Sequence, residues 1–420
     1  MVDADQTFVI VGGGLAGAKA AETLRAEGFT GRVILICDER DHPYERPPLS
    51  KGYLLGKEER ESVFVHEAAW YAQADVELHL GLPAVAIDRD AKAVRLGDGT
   101  TVRYDKLLLA TGAEPRRLDI PGTELAGVHH LRRLAHAERL RGVLASLGRD
   151  NGHLVIAGAG WIGLEVAAAA REYGAEVTVV EPEPTPLHAV VGPEVGRLFA
   201  DLHRDHGVRF HFGARLTEIT GQDGMVLAAR TDDGDEHPAH DVLAAIGAAP
   251  RTALAEAAGL ALADRTHGGG IAVDASLRTS DPDIFAAGDV AAAQHPLYEH
   301  RLRVEHWANA LNSGPAAARA MLGQEVTYDR VPYFFSDQYD VGLEFSGWAP
   351  PGAYDQVLIR GDAGKREFIA FWLADGRVLA GMNVNVWDVT DPIQQLIRTG
   401  ARPAPEKLAD PSVPLTSLIE

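Results

Sequence analysis

Gly12, Gly14 and Gly17, followed by Asp38, and Gly158, Gly160 and Gly163, followed by Glu181, are the residues of this chain whose spacing suggests chemistry. Each trio has the form GxGxxG. The first glycine of such a trio permits a tight turn, the second lets backbone approach a pyrophosphate, and the third lets a helix sit against a sheet. The free N–H groups and positive dipole end of that helix then face the phosphates. The acids lie 21 residues after Gly17 and 18 after Gly163, close to the spacing that lets a carboxylate accept a ribose 2′-hydroxyl. One fingerprint is weak evidence. Two complete ones imply two dinucleotides held in one protein, and two dinucleotides suggest electron transfer between them.

Positioning these residues requires strand–turn–helix units, and the surrounding sequence supplies them. Thr7-Phe-Val-Ile-Val precedes Gly12, and Asp38 closes a strand expected over 33–37. His153-Leu-Val-Ile-Ala precedes Gly158, and Glu181 closes a strand expected over 176–180. Between the two units, residues 94–102 read as a hairpin around Gly97 to Gly99. Tyr104 to Arg116 reads as a buried strand ending in a Gly/Pro turn, and Asp241 to Arg251 repeats it. A helix is expected from about Glu305 to Leu322. From Val326 to Val389 aromatic, glycine and β-branched residues dominate, with short alternating runs that suggest an antiparallel sheet. Arg402 to Pro414, rich in proline, reads as an extended tail on the surface.

The 420 residues are too many for one ordinary core. Hydrophobic content of 46% and charged content of 24% are those of a soluble globular protein. No apolar run approaches the roughly 20 residues needed to span a bilayer, and a first strand starting at Thr7 leaves no signal peptide to expect. Cys37 is the single cysteine, so neither an internal disulfide nor a CxxC redox pair can form. These features suggest the cytoplasm. A net charge of −20 disfavours nucleic acid and anionic membrane as partners.

Seven motifs, in order, carry a resemblance: VGGGLAG (11–17), PYERPPLSKGYL (43–54), ATGAEPR (110–116), GAGWIGLEVA (158–167), IFAAGDVA (284–291), VEHWANAL (304–311) and FSDQYD (335–340). Over nearly its whole length the chain is similar to the FAD-dependent, pyridine-nucleotide ferredoxin reductases that serve cytochrome P450 and Rieske oxygenase systems. The resemblance implies an α/β, glutathione-reductase-like fold with two Rossmann-like dinucleotide-binding domains and a C-terminal α+β domain. An FAD domain is expected from 1–115 and 245–324, an NAD domain from 116–244, and the C-terminal domain from 325–420. FAD would lie on the first fingerprint, with Leu15 and Ala16 at the helix start and Asp38 on the adenosine ribose. Thr111 and Gly112, Gly247, and Gly288 with Asp289 fall in its strand-end turns, and Glu305 and Trp307 in its VEHWANAL segment. Ala84 and Arg132 align with flavin-contacting positions, in weaker motifs.

In similar enzymes a lysine of the RPPLSK stretch, here Lys51, lies near flavin N5 and is paired with a glutamate of the second fingerprint helix, here Glu165. An ammonium there stabilises developing negative charge, and the glutamate offsets a cation costly to bury alone. Trp161 resembles an aromatic covering the nicotinamide pocket, with core packing as the alternative. Residues 181–187 contain Glu181 and Glu183 but no Arg or Lys, which favours NADH over NADPH. The reaction implied is hydride transfer from NADH to FAD, then single electrons to a [2Fe–2S] ferredoxin, docking transiently and serving a P450 or Rieske oxygenase. Phe335 stands where similar reductases often carry tryptophan near the ferredoxin face. Arg301, Arg303, Arg319 and Arg330 are candidate docking groups. His203, His206 and His211 read as scattered surface residues, and no metal site is expected. Alternatives remain: an NADH oxidase without cysteine, or a reductase of rubredoxin or another acceptor. Flavin disulfide reductases need a redox cysteine beside the flavin, and Cys37 is misplaced for that. An apoptosis-inducing-factor-like role would need a targeting segment and a basic surface.

Overall fold

The computed structural model describes residues 5–265 and 268–419. It divides into two compact units. The first is drawn from the chain up to Glu45, Arg60–Glu114 and Ala249–Pro332; the second from Arg46–Glu59, Pro115–Ala248 and the chain from Tyr333 onward.

In the first unit a five-stranded parallel sheet runs Ile284–Ala286, Lys106–Leu109, Thr7–Val11, Arg32–Ile36, Val76–His79. Its central strands are continuous apolar runs because a parallel sheet is covered on both faces. Phe8 to Ile10, Val33 to Ile36 and Leu107 to Leu109 are all buried. Helix Leu15–Ala26 crosses helix Trp307–Met321 closely: a Cβ on Gly314 would lie 2.2 Å from the Ala16 carbonyl oxygen. An antiparallel sheet of Ala84–Asp88, Ala93–Leu96 and Thr101–Arg103 includes the hairpin expected around Gly97.

The second unit repeats the parallel plan with Arg209–Phe212, Glu176–Glu181, His153–Ala157, Asp241–Ala244 and Val128–His129. It also holds a five-stranded antiparallel sheet in the order Tyr333–Gln338, Val341–Gly347, Arg377–Val384, Glu367–Ala374, Gln356–Asp362. Trp372 and Phe371 fill its core, and the Trp372 indole N–H donates to the Val191 carbonyl at 3.2 Å. Two sheets built on one fingerprint pattern and a third, antiparallel sheet give the α/β plus α+β class expected.

The proline-rich tail differs from the extended segment expected. Pro405–Ala409 is a short helix with Pro405 in its first turn, a position where the missing N–H costs nothing. Leu408 is buried. The buried Arg360 guanidinium donates to the carbonyls of Leu408 at 3.1 Å, Pro411 at 3.2 Å and Val413 at 2.6 Å. Arg360→Ala is expected to cost about 2–3 kcal/mol, as hydrogen bonds to a charged group do. Urea unfolding and earlier proteolysis after Ala401 read that loss; an unchanged urea midpoint contradicts it.

Candidate functional site

The two fingerprints share one local geometry. Gly12 has φ +125°, and a Cβ there would sit 2.1 Å from the Ala110 carbonyl oxygen; Gly158 has φ +100°, with the Ala245 oxygen at 2.5 Å. A Cβ on Gly17 would meet the Gly12 carbonyl oxygen at 2.1 Å, and one on Gly163 the Gly158 oxygen at 2.2 Å. Turn and helix packing therefore demand glycine at four positions. Gly14 and Gly160 are different. Each is in extended backbone at its helix N-cap, and a Cβ there would meet nothing within 4 Å. The fold itself imposes no glycine at either place. A ligand that must touch the backbone does, and a pyrophosphate on the helix N-terminus meets that description. By this test both cradles fit a dinucleotide.

Within the first unit, Asp38 ends its strand and pairs with Arg251 at 3.0 Å. The Thr111 hydroxyl donates to the Arg251 carbonyl at 2.9 Å, and the Arg251 N–H to the Gly112 carbonyl at 2.9 Å. The Gly288 N–H donates to Ser313 Oγ at 2.9 Å, which holds the Gly288–Val290 turn and half-buried Asp289. His306, next to Asp289, is held down to about pH 4: desolvation lowers it, and the Asp289 charge only partly opposes. The Trp307 indole N–H donates to Glu45 Oε2 at 3.0 Å, a partner the sequence reading did not single out although it lies in PYERPPLSK. Arg303 is corrected as a docking group. Its side chain is nearly buried, ion-paired with Glu305 and donating to the Gly268 and Asp289 carbonyls. Arg301 donates to the Val273 carbonyl at 2.5 Å, and Arg319 pairs with Glu27 at 2.8 Å. Ala84 opens an outer strand opposite Leu96. The Cys37 thiol lies under the first fingerprint, 2.4 Å from where a Gly13 Cβ would stand. Burial, with Asp38 and Glu39 adding repulsion, pushes it up to about 12, so it stays a thiol and is no nucleophile.

Within the second unit, Glu181 turns back into its own fingerprint: its carboxylate accepts the Ala159 N–H at 2.6 Å and the Glu183 N–H at 3.0 Å. Trp161 packs edge-on to Phe199 at 5.8 Å and tilted on Phe334 at 4.9 Å, and its buried indole N–H has no partner among the described residues. Gly247, at φ +94°, accepts the Arg116 N–H at 2.9 Å. The Arg132 carbonyl accepts from the Arg46 guanidinium.

Lys51 and Glu165 meet in this unit, 114 residues apart in sequence. Lys51 Nζ lies 2.7 Å from Glu165 Oε1, with 14% of the lysine side chain and 3% of the glutamate exposed. Ser336 Oγ donates to the same oxygen at 2.6 Å, and Ser50 Oγ donates to Oε2. The Phe335 ring centroid is 5.4 Å from the ammonium, which adds a cation–π contact. Asp337, next on the strand, is held above the usual carboxylate range by desolvation and by Glu165, against the pull of Lys51. Such a cluster presents one fixed, neutralised cation.

The histidines are corrected too. His203 is fully buried, bonded to Gln338 Oε1 at 2.8 Å and to the Tyr339 hydroxyl at 3.1 Å; apolar burial outweighs its acidic sequence neighbours. His206 stacks on Tyr339 at 3.6 Å. His211 lies with Asp233 and Asp235, ligand-type atoms within 4.8 Å of one another. A cavity of about 350 Å³, lined by His153, Thr178, Arg209, Phe210, His211, His237 and Pro238, opens where strand His153–Ala157 begins, away from the carboxyl edge where dinucleotides sit. His153 and His203 are both lowered to about 4, chiefly by desolvation. An unfolded histidine titrates near 6.5, so the unfolded chain takes up protons first as pH falls. Stability is full above about 6.5 and is lost progressively toward 4. Urea unfolding of the second unit at pH 5 is expected to fall short of that at pH 7 by on the order of 2 kcal/mol for His203 alone; a flat profile refutes it.

Two family models match. The pyridine nucleotide-disulphide oxidoreductase model covers residues 6–314 and the reductase C-terminal model 333–419. The chain belongs to the pyridine nucleotide-disulphide oxidoreductase family. It is an oxidoreductase of the branch whose members carry that C-terminal domain, and the family implies FAD and NAD(H) as cofactors. It is 40% identical to the anthranilate 1,2-dioxygenase system ferredoxin–NAD(+) reductase component of Burkholderia cepacia, over 98% of this chain and 99% of that protein. Among solved structures it resembles the ferredoxin reductase for the CYP199A2 system from Rhodopseudomonas palustris, with TM-score 0.93 and 37% identity over 99% of this chain and 100% of that one. The covalent putidaredoxin reductase–putidaredoxin complex matches with TM-score 0.93 and 36% identity, over 99% of each chain. No helix among the described residues is long and apolar enough to cross a membrane.

Proposed function

We propose that this oxidoreductase draws electrons from NADH and delivers them to a [2Fe–2S] ferredoxin that serves a cytochrome P450 or Rieske oxygenase. The observation that carries the reading is the pair of glycines, Gly14 and Gly160, each at a helix N-terminus where a Cβ would meet no protein atom within 4 Å and a bound dinucleotide calls for glycine. Bound FAD supplies the redox chemistry, accepting an electron pair from NADH and releasing electrons singly. The chain's own residues bind and orient. Residues 1–115 and 245–324 are assigned to FAD, 116–244 to NADH and 325–420 to the C-terminal domain. Asp38 and Glu181 hold the two riboses, Asp289 the ribityl–pyrophosphate region, and Lys51 with Glu165 a fixed cation beside the flavin. Leu15, Ala16, Ala84, Thr111, Gly112, Arg132, Gly247, Gly288, Glu305 and Trp307 complete the cofactor contacts, with Trp161 at the nicotinamide.

NADH is preferred because Glu181 and Glu183 would repel a 2′-phosphate, and residues 181–187 supply no cation to receive it. The buried Cys37 removes the thiol route of disulfide reductases. The cytoplasm, where NADH is supplied, is the proposed location. FAD-loaded protein, NADH and a [2Fe–2S] ferredoxin are expected to reduce cytochrome c only when all three are present. Rapid NADH oxidation by oxygen that ignores ferredoxin would replace this reading with an NADH oxidase.

A further inference from the structure

Glu165 is the end of a longer line of hydrogen bonds, all inside the second unit. Ser336 Oγ donates to Glu165 Oε1 at 2.6 Å and accepts from Gln338 Nε2 at 3.1 Å. Gln338 Oε1 faces His203 Nε2 at 2.8 Å, and His203 Nδ1 faces the Tyr339 hydroxyl at 3.1 Å. Glu165, Ser336, Gln338 and His203 are each no more than 3% exposed. The order of donors follows from valence. An amide oxygen only accepts, so His203 Nε2 carries the proton and Nδ1 accepts from Tyr339. A reversed Gln338 amide would turn the Ser336 proton toward the amide oxygen and take a donor from the buried carboxylate. Neutral His203 suits this arrangement, since desolvation lowers it to about 4. Every donor in the line therefore points toward Glu165, and hydrogen bonds aligned this way in a low dielectric polarise one another.

We propose that Ser336, Gln338, His203 and Tyr339 are positioning residues, a one-way hydrogen-bond line that orients the Glu165 carboxylate and so fixes the place of the Lys51 ammonium. None of the four need touch cofactor or substrate. The antiparallel sheet supplies three of them from one strand and its turn: Ser336 and Gln338 are two apart and share a face of Tyr333–Gln338. Tyr339 follows at φ +57°, a left-handed conformation rare for an aromatic residue, in the turn where its hydroxyl meets His203. The consequence for turnover rests on the role proposed above for Lys51; the placement of Glu165 does not.

The test reads Glu165 directly in the FAD-loaded protein. Infrared spectra of ¹³C-glutamate-labelled protein, with the Glu165 band assigned by its loss in Glu165→Gln, give the stretching frequency of this carboxylate, which follows the hydrogen bonds it accepts. Ser336→Ala is expected to shift that band by the loss of one donor to the charge, and Ser336→Thr to restore it. Gln338→Met is expected to shift it by less and Tyr339→Phe by least, in order of distance along the line. The flavin midpoint potential is expected to fall in the same order, because each variant loosens the carboxylate that holds the Lys51 ammonium in place. Merely structural residues would lower thermal stability without moving either reading. Should Gln338→Met fail to fold, Tyr339→Phe carries the test, since it removes a single outer oxygen. An unmoved Glu165 in Ser336→Ala, or in both outer variants, overturns the proposal. Failure to reduce ferredoxin would sink the functional reading and leave these band shifts intact.

Discussion

Gly14→Ala is expected to yield a folded but colourless protein. The argument is steric. Gly14 occupies extended backbone open to any residue, and its added Cβ meets no protein atom within 4 Å. The chain itself therefore tolerates the methyl group. The proposed pyrophosphate does not, because it needs contact with the backbone at that point, and FAD affinity should drop by about two orders of magnitude or more, as for a ligand whose charged anchor is lost. Gly12→Ala makes the contrast. There the methyl collides with the Ala110 carbonyl at φ +125°, and the expected result is an unfolded or aggregated first unit. Gly160→Ala should leave the yellow colour intact and raise KM for NADH by a similar factor. Circular dichroism, bound-flavin absorbance and steady-state kinetics separate the three outcomes. A yellow, fully active Gly14→Ala protein would remove the basis for placing FAD on the first fingerprint.

The second large effect is expected at Lys51. Lys51→Met removes the one cation that, among the described residues, pairs with a carboxylate that is 3% exposed, leaving Glu165 the hydroxyls of Ser50 and Ser336. Breaking a buried pair from one side costs about 3–5 kcal/mol when nothing else compensates; two remaining donors bring the expected loss nearer 2 kcal/mol. Under the proposed role the rate effect is larger in proportion. Losing a preorganised charge beside the reacting centre costs about 100-fold or more, so stopped-flow bleaching of the flavin by NADH should slow by that factor while flavin content is retained. Lys51→Met combined with Glu165→Met should recover stability but not rate. Recovery of both, or a rate within a few fold of wild type, would reduce the pair to a structural ion pair.

The recurring fingerprints, their strands and the helix after each were legible in the sequence because their causes are local. A run of four or five apolar residues, a glycine at positive φ and a helix within the next turn need no distant partner. The family resemblance named Lys51 and Glu165 as partners, yet nothing in their spacing says that residues 46–59 pack with the second unit. His203 shows the limit from the other side. Its acidic and aromatic neighbours in sequence suggested the surface, but the helix His188–Asp205 turns that position inward to Gln338. The tail differed for a related reason: prolines suggested extension, whereas a buried arginine on another strand captures three of its carbonyls.

By itself the sequence determined the chemistry this protein is equipped for: two GxGxxG turns between strand and helix, an acid after each, and a single cysteine with no second thiol to pair with. Those properties depend on residue type and short spacing. Tertiary structure alone decided which glycines the fold demands and which it does not, that Arg303 is held inside its own unit, and that a serine, a glutamine, a histidine and a tyrosine line up behind Glu165. Each of those depends on what a side chain meets across tens or hundreds of residues, and burial makes such meetings specific because a polar group without a partner there is costly.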